Sequence, residues 1–272
     1  MRILPEVTST EDLTTEILNL FFERIQTRER KGKSNSIKIG VKSSTIKTQW
    51  TKLNVFFKWL NENDHLDRNP LKGIKPPRVS YDDFKRLEDH EINKIYSAIV
   101  RCSSNLFLLR RDTMMVSLLI YLGVRKGEFI SFQIKDIDLY KREITIRGET
   151  SKSKKSRVLK MHPTLVMHIK DYLNELNSRG IKTEQLIVSN RGDSGLSRDG
   201  LKHWTESIIK KSGVKFHLHQ FRHTFACKLD EARVPSFNIQ KMMGHSSIVM
   251  TMKYVRSLKT ENMGEDIDKI SF

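Results

Sequence analysis

The sequence predicts an α+β chain, mainly helical with one small β element and divided into two domains, and three observations lead there. Residues 10–30 and 43–62 carry apolar residues at helical spacing, as do several stretches beyond residue 89. Strict alternation is confined to Glu143–Arg147, and Arg157–Met161 can return antiparallel to it. Between the two helical groups, Leu71–Arg78 holds the pair Pro76-Pro77, which cannot continue a helix and favours an extended, basic connector.

In the first 80 residues, Ile46, Trp50, Leu53, Phe57 and Leu60 form one stripe behind Ser43-Ser44, read as an N-cap, so a small helical bundle is expected. Lys31–Ser36 reads as a polar loop whose Lys31 and Lys33 could touch a phosphate backbone, and the connector offers Lys75 and Arg78 in the same way. The boundary falls after this connector, giving domains 1–80 and 81–272. In the second, helices are expected at 89–102 and 105–123, then a short one from Arg125. Beyond the hairpin they resume at 164–178, 197–211, 219–233, 236–243 and 247–256, with a charged tail from Ser257.

The chain has 272 residues, 38% apolar, enough to build real cores. Its formal charge of +17 calls for a polyanionic partner, and nucleic acid fits best. A membrane surface fits less well, because the basic residues are spread along the whole chain rather than on one amphipathic helix. The most apolar run, Met114–Val124, is too short to span a bilayer and reads as a buried core helix. With no secretory signal at the N-terminus, a cytoplasmic protein is expected. Cys102 and Cys227, far apart and outside any CxxC pattern, are expected to be reduced, buried thiols.

Four short segments carry candidate chemistry. Arg125, with Glu128 three residues on, follows Gly123, read as a helix C-cap, and so stands at a corner between helices. His217, His219 and His223 cluster around Arg222; without a nearby Asp, Glu or Cys they make a poor metal set, whereas His219 and Arg222 on one face make a base beside a phosphate clamp. Gly244-His245 joins two short helices, with Tyr254 nine residues later. The loop between the strands holds Lys152, Lys154 and Lys155, a basic tip able to enter a DNA groove. Taken singly, each has a plainer reading: a surface arginine, a polar helix end, a core tyrosine, a solvated turn.

Together these segments resemble the tyrosine recombinase, or phage integrase, family over residues 10–260: an arginine with an acid three residues on, a hairpin lysine, HxxR, then Gly-His and a tyrosine nine residues later. The departures are Leu122, where threonine is more usual, and Met243, where leucine is frequent; neither is catalytic. The resemblance implies a helical core-binding (SAM-like) domain over 1–80 and a catalytic domain over 81–272, the two-domain Xer or transposon-borne type without an arm-binding domain. It also implies site-specific DNA recombination through a 3′-phosphotyrosyl bond, with four protomers on two duplexes and no ATP, metal or other cofactor. Residue by residue, the nucleophile is Tyr254, the clamps are Arg125 and Arg222, His219 is the base, His245 a further donor and Lys152 the acid. Lys152 is preferred over its neighbours because it stands five residues before the return strand. Glu128 is expected to orient His219 or Lys152, and the tail, through Ile267, Ile270 and Phe272, to pack on a neighbouring protomer. A non-catalytic DNA-binding regulator and a type IB topoisomerase are the competing readings.

Overall fold

The structure, a computed structural model, describes residues 3–4, 7–9, 12–31, 36–78, 86–151, 154–190 and 194–255, without the side chains of 31 and 253–255. The chain forms two compact units, residues 1–81 and 82–272.

In the first unit, helix α1 (Thr15–Thr27) starts where the Thr14 side chain accepts from the N–H of Ile17. Helix α2 (Ser43–Glu62) packs against it, burying Leu18, Phe22 and Ile25 with Ile46, Phe57 and Leu71. The expected stripe is there: Trp50, Leu53 and Leu60 lie half-buried against this core. Trp50 Nε1 also donates to the carbonyl of Ile74 at 2.8 Å, tying the start of the connector to α2. Lys75 and Arg78 are exposed.

Two expectations are corrected in this unit. The cap of α2 is Lys42, the last residue with extended dihedrals, so the two serines already lie within the helix. The basic segment after residue 28 is not wholly a loop: β1 (Glu29–Lys31) pairs antiparallel with β2 (Ile37–Ile39), Lys31 opposite Ile37, and Arg30 Nε donates to Gly40 O at 2.7 Å. Ile37 and Ile39 are 69% and 75% exposed, so no alternation of burial marks these strands.

The second unit is built around α4 (Leu106–Leu122), whose Met114, Met115, Val116, Leu118, Leu119 and Leu122 are buried on every side, as the run Met114–Val124 led one to expect. Asn105 caps it, accepting from the N–H of Leu108. Around it pack α3 (Asp89–Cys102), α6 (Pro163–Ser178) and α8 (Leu218–Glu231), with α7 (Arg198–Ser212) against α3. The strands β3 (Ile137–Asp138), β4 (Glu143–Ile146) and β5 (Arg157–Lys160) form an antiparallel sheet in that order. Ile144 pairs with Leu159 and both face the core. The third strand, β3, is an addition to the expected hairpin; two residues are too few to show a period. The connection from β4 to β5 opens with a 3₁₀ turn, Gly148–Thr150.

Short helices α5 (Lys126–Ile130), α9 (Ser236–Met243) and α10 (Ile248–Val255) complete the unit, and Phe225, Ala226, Ile239 and Met243 make a small core beneath α8 and α9. Among the described residues no helix is long and apolar enough to cross a membrane. Cys227 is buried as expected, but Cys102 is exposed, because it ends α3 beyond Ala98 and Ile99, the last residues that helix buries. The tail from Ser257 lies outside the described residues.

Candidate active site

The site is organised by backbone carbonyls at two helix ends. Helix α4 stops at Gly123, whose φ of +54° suits glycine; a Cβ there would lie 2.3 Å from the Phe225 ring, so only glycine lets this end of α4 rest on α8. Its carbonyl accepts from Arg222 Nη1 at 2.6 Å. Helix α9 ends in the same way at Gly244, with φ +61° and space for a Cβ taken by Arg157 Nη1, 2.8 Å away. The carbonyl of Met243 accepts from Arg222 Nη2, and that of Gly244 accepts from Arg125 Nη2 at 2.9 Å. Carbonyls at a helix C-terminus lack intrahelical donors and carry the negative end of the helix dipole, so they are good seats for guanidinium groups. Two arginines from different elements thus hang from consecutive carbonyls, and the next residue is His245.

Glu128 lies beneath them with its side chain fully buried. Its carboxylate accepts from the Arg125 backbone N–H at 2.9 Å and Arg125 Nη1 at 3.1 Å, from Arg157 Nη1 and Nη2 at 3.1 and 2.9 Å, and from Ser151 Oγ at 3.0 Å. Arg157 Nε donates to Met242 O at 2.9 Å, so one arginine joins β5, α5 and the end of α9. Burial alone would raise the Glu128 pKa, but the bonds from Arg157 and the Arg125 N–H outweigh it and hold the carboxyl at about 2. The described bonds of Glu128 reach Arg125, Arg157 and Ser151; the expectation was that it orients His219 or Lys152, and Lys152 lies outside the described residues.

His245 is 7% exposed, with Nδ1 2.9 Å from Thr251 Oγ1 on α10. Burial, then Arg222, Arg125 and Arg157, lower its pKa to about 3, so the imidazole is neutral at pH 7. His219, on the first turn of α8, is exposed at one edge; partial desolvation followed by Arg222, His223 and Arg125 lowers its pKa too. The structure thus gathers Arg125, His219, Arg222 and His245 around the ends of α4 and α9, above Glu128. Tyr254 lies on α10, nine residues after His245, and its side chain is outside the described residues, as are Lys152 and Lys33.

Lys154 and Lys155 are exposed on the loop before β5, Lys154 with φ +53°. His223 is buried beside Cys227 Sγ, 3.9 Å from its ring nitrogens. Among the described residues no three His, Cys, Asp or Glu side chains are placed to hold a metal ion. Sequence reasoning missed Arg157, Ser151 and Thr251. Nothing in their local spacing singles these three out.

The Glu128 contacts predict a stability effect. Glu128→Gln leaves Arg157 and Arg125 without their counter-charge, an expected loss of about 3 kcal/mol in urea unfolding at pH 7. Because the folded pKa (about 2) lies below the ordinary 4.5, this stabilisation is present above pH 4.5 and lost as pH falls toward about 2, so the two proteins should converge in acid. His245 acts earlier: below pH 6.5 the unfolded chain binds a proton that the folded site, at about 3, refuses, so wild-type stability should already fall there. A flat stability profile from pH 6.5 to 4.5 would contradict this.

The second unit thus sets two arginines and two histidines together on helix ends, a group of donors of the kind that suits an anionic oxygen. Residues 85–261 match the phage integrase family, and the chain belongs to it. Tyrosine recombinase XerC of Escherichia coli O127:H6 (strain E2348/69 / EPEC) is 27% identical over 225 residues, covering 79% of this chain and 70% of that protein. XerC of Serratia marcescens is 26% identical over 223 residues, covering 81% and 71%. Among solved structures, the Tn1549 transposon integrase in complex with transposon right end DNA covers 97% of this chain and 87% of its own, with a TM-score of 0.74 at 17% identity. XerH site-specific recombinase bound to palindromic difH substrate covers 97% and 74%, with a TM-score of 0.69 at 19% identity. At these identities the two structures speak for the fold.

Proposed function

We propose that this chain cuts and rejoins DNA at specific sites through a transient 3′-phosphotyrosyl bond to Tyr254. Site-specific recombination is the activity of the family it belongs to and of the XerC proteins it resembles. The assignment of residues is supported above all by one observation: Arg222 and Arg125 are seated on the consecutive carbonyls of Met243 and Gly244, beside His245.

In this reading the two guanidinium forks face the non-bridging oxygens of the scissile phosphate, where charge builds up in the transition state. Their seats are the protein's own carbonyls, which hold the forks independently of any phosphate. His245 adds a neutral donor. A tyrosine hydroxyl, with an ordinary pKa of about 10, needs a base to attack phosphorus at neutral pH. His219 suits that role, since its lowered pKa leaves it unprotonated. Attack breaks the bond to the 5′ oxygen, and Lys152 returns a proton to that leaving group. A 5′-hydroxyl from a second duplex then displaces the tyrosine, which retains bond energy throughout. Glu128 keeps Arg125 and Arg157 aligned. Residues 1–80 act as the core-binding domain and 81–272 as the catalytic domain, with Lys31, Lys33, Lys75, Arg78, Lys154 and Lys155 on phosphates along the duplex. Four protomers assemble on two duplexes.

Three measurements test the parts that a covalent adduct alone would leave open. Strand exchange between two labelled duplexes separates this activity from that of a type IB topoisomerase, and sedimentation on synapsed sites should give four protomers. Lys152→Ala should cleave ordinary DNA poorly but recover on DNA with sulfur at the 5′ bridging position, because a thiolate leaves without a proton. Rescue of Lys154→Ala or Lys155→Ala instead would move the acid to that residue.

A further inference from the structure

We infer that Thr251 is a positioning residue that fixes the tautomer of His245, making its Nε2 carry the proton that is donated to the DNA phosphate. This rests on the reading of His245 as a phosphate donor. Five helical threonines, Thr27, Thr48, Thr51, Thr205 and Thr224, donate their hydroxyls to the carbonyl four residues back, at 2.8 to 3.0 Å. That is the ordinary habit of threonine in a helix. Thr251, fully buried on α10, does otherwise: its described partner is His245 Nδ1, at 2.9 Å.

A buried hydroxyl must place its proton on an acceptor or lose a hydrogen bond outright. With no helix carbonyl taking it, the Thr251 proton goes to Nδ1, which must then be the bare nitrogen. A neutral imidazole has one N–H and one lone pair, so Nε2 carries the hydrogen. The other tautomer would turn a lone pair toward an anionic phosphate and leave the Thr251 hydroxyl proton without an acceptor. Thr251 also stands one helical turn before Tyr254, so the same bond ties the start of the nucleophile's helix to the group that holds the phosphate.

The test uses the full chain labelled with ¹⁵N-histidine, the His245 signals being assigned by their loss in His245→Asn. Wild type should show a bare Nδ1 and a protonated Nε2 for His245; a protonated Nδ1 overturns the proposal without any variant and whether or not the protein recombines DNA. Thr251→Val, nearly the same shape, should give mixed tautomers and form covalent adduct on a nicked suicide duplex about tenfold more slowly at unchanged half-site affinity, while Thr251→Ser keeps wild-type tautomer and rate. In a His245→Asn background, Thr251→Val should slow cleavage no further. An added tenfold loss there would mean that Thr251 acts by some other route, and the proposal would fall. Wild type that never forms adduct would defeat the proposed function, while the nitrogen spectra would still decide the tautomer.

Discussion

Tyr254→Phe should bind its DNA site as tightly as wild type and form no covalent complex with it. The substitution removes one oxygen, the atom proposed to attack phosphorus, and leaves the ring and the helix that carries it. A nicked suicide duplex lets the cleaved strand diffuse away, so wild type should accumulate an SDS-resistant protein–DNA adduct. The phenylalanine variant should give none, a loss larger than any general-base or acid substitution would cause, because the bond-forming atom itself is gone. An adduct of normal yield from the variant would show that another side chain makes the bond.

The second large effect is expected at Arg222. Lysine keeps the charge but offers a single ammonium where the arginine offers a planar fork. Arg222, 1% exposed, uses that fork to hold Gly123 O and Met243 O, from the ends of two helices. An ammonium on a shorter stem cannot reach both and still face a phosphate. Arg222→Lys should therefore form adduct about a hundredfold to a thousandfold more slowly. It should also unfold at lower urea, since two buried carbonyls compete for one donor group. Normal stability with slow cleavage would place the role of Arg222 wholly on the phosphate; normal cleavage would remove it from the site.

Much of this site was legible because its residues are fixed by chain order. Arg125 with Glu128, His219 with Arg222, and Gly244-His245 are short motifs on helix ends, and helix ends are what glycine and apolar period reveal. Gly123 reads as a cap and is one; Gly244, read as a joint between two short helices, caps the first of them. What was not legible depends on long-range pairing. Arg157 reaches Glu128, 29 residues earlier, and Met242, 85 later, so nothing local in its sequence announces it. Thr251 looks like any helical threonine until its partner is seen. The hairpin β1–β2 escaped because both its faces are exposed, and a strand without a buried side has no pattern to read. Glu128 was found as an acid near the clamp, but which groups it would hold could not follow from spacing alone.

The seating of Arg222 and Arg125 on neighbouring carbonyls has a mechanical consequence. Two successive peptide units, Met243–Gly244 and Gly244–His245, seat the two clamps, so a rotation of the end of α9 cannot move one arginine and spare the other. The two grips lose alignment together, and activity should respond to displacement of this helix as a step rather than a slope. Substitutions along α9 that touch neither arginine would then silence the protein as completely as the loss of a catalytic side chain. Whatever presses on that helix in an assembled complex holds a single lever over the whole anion site.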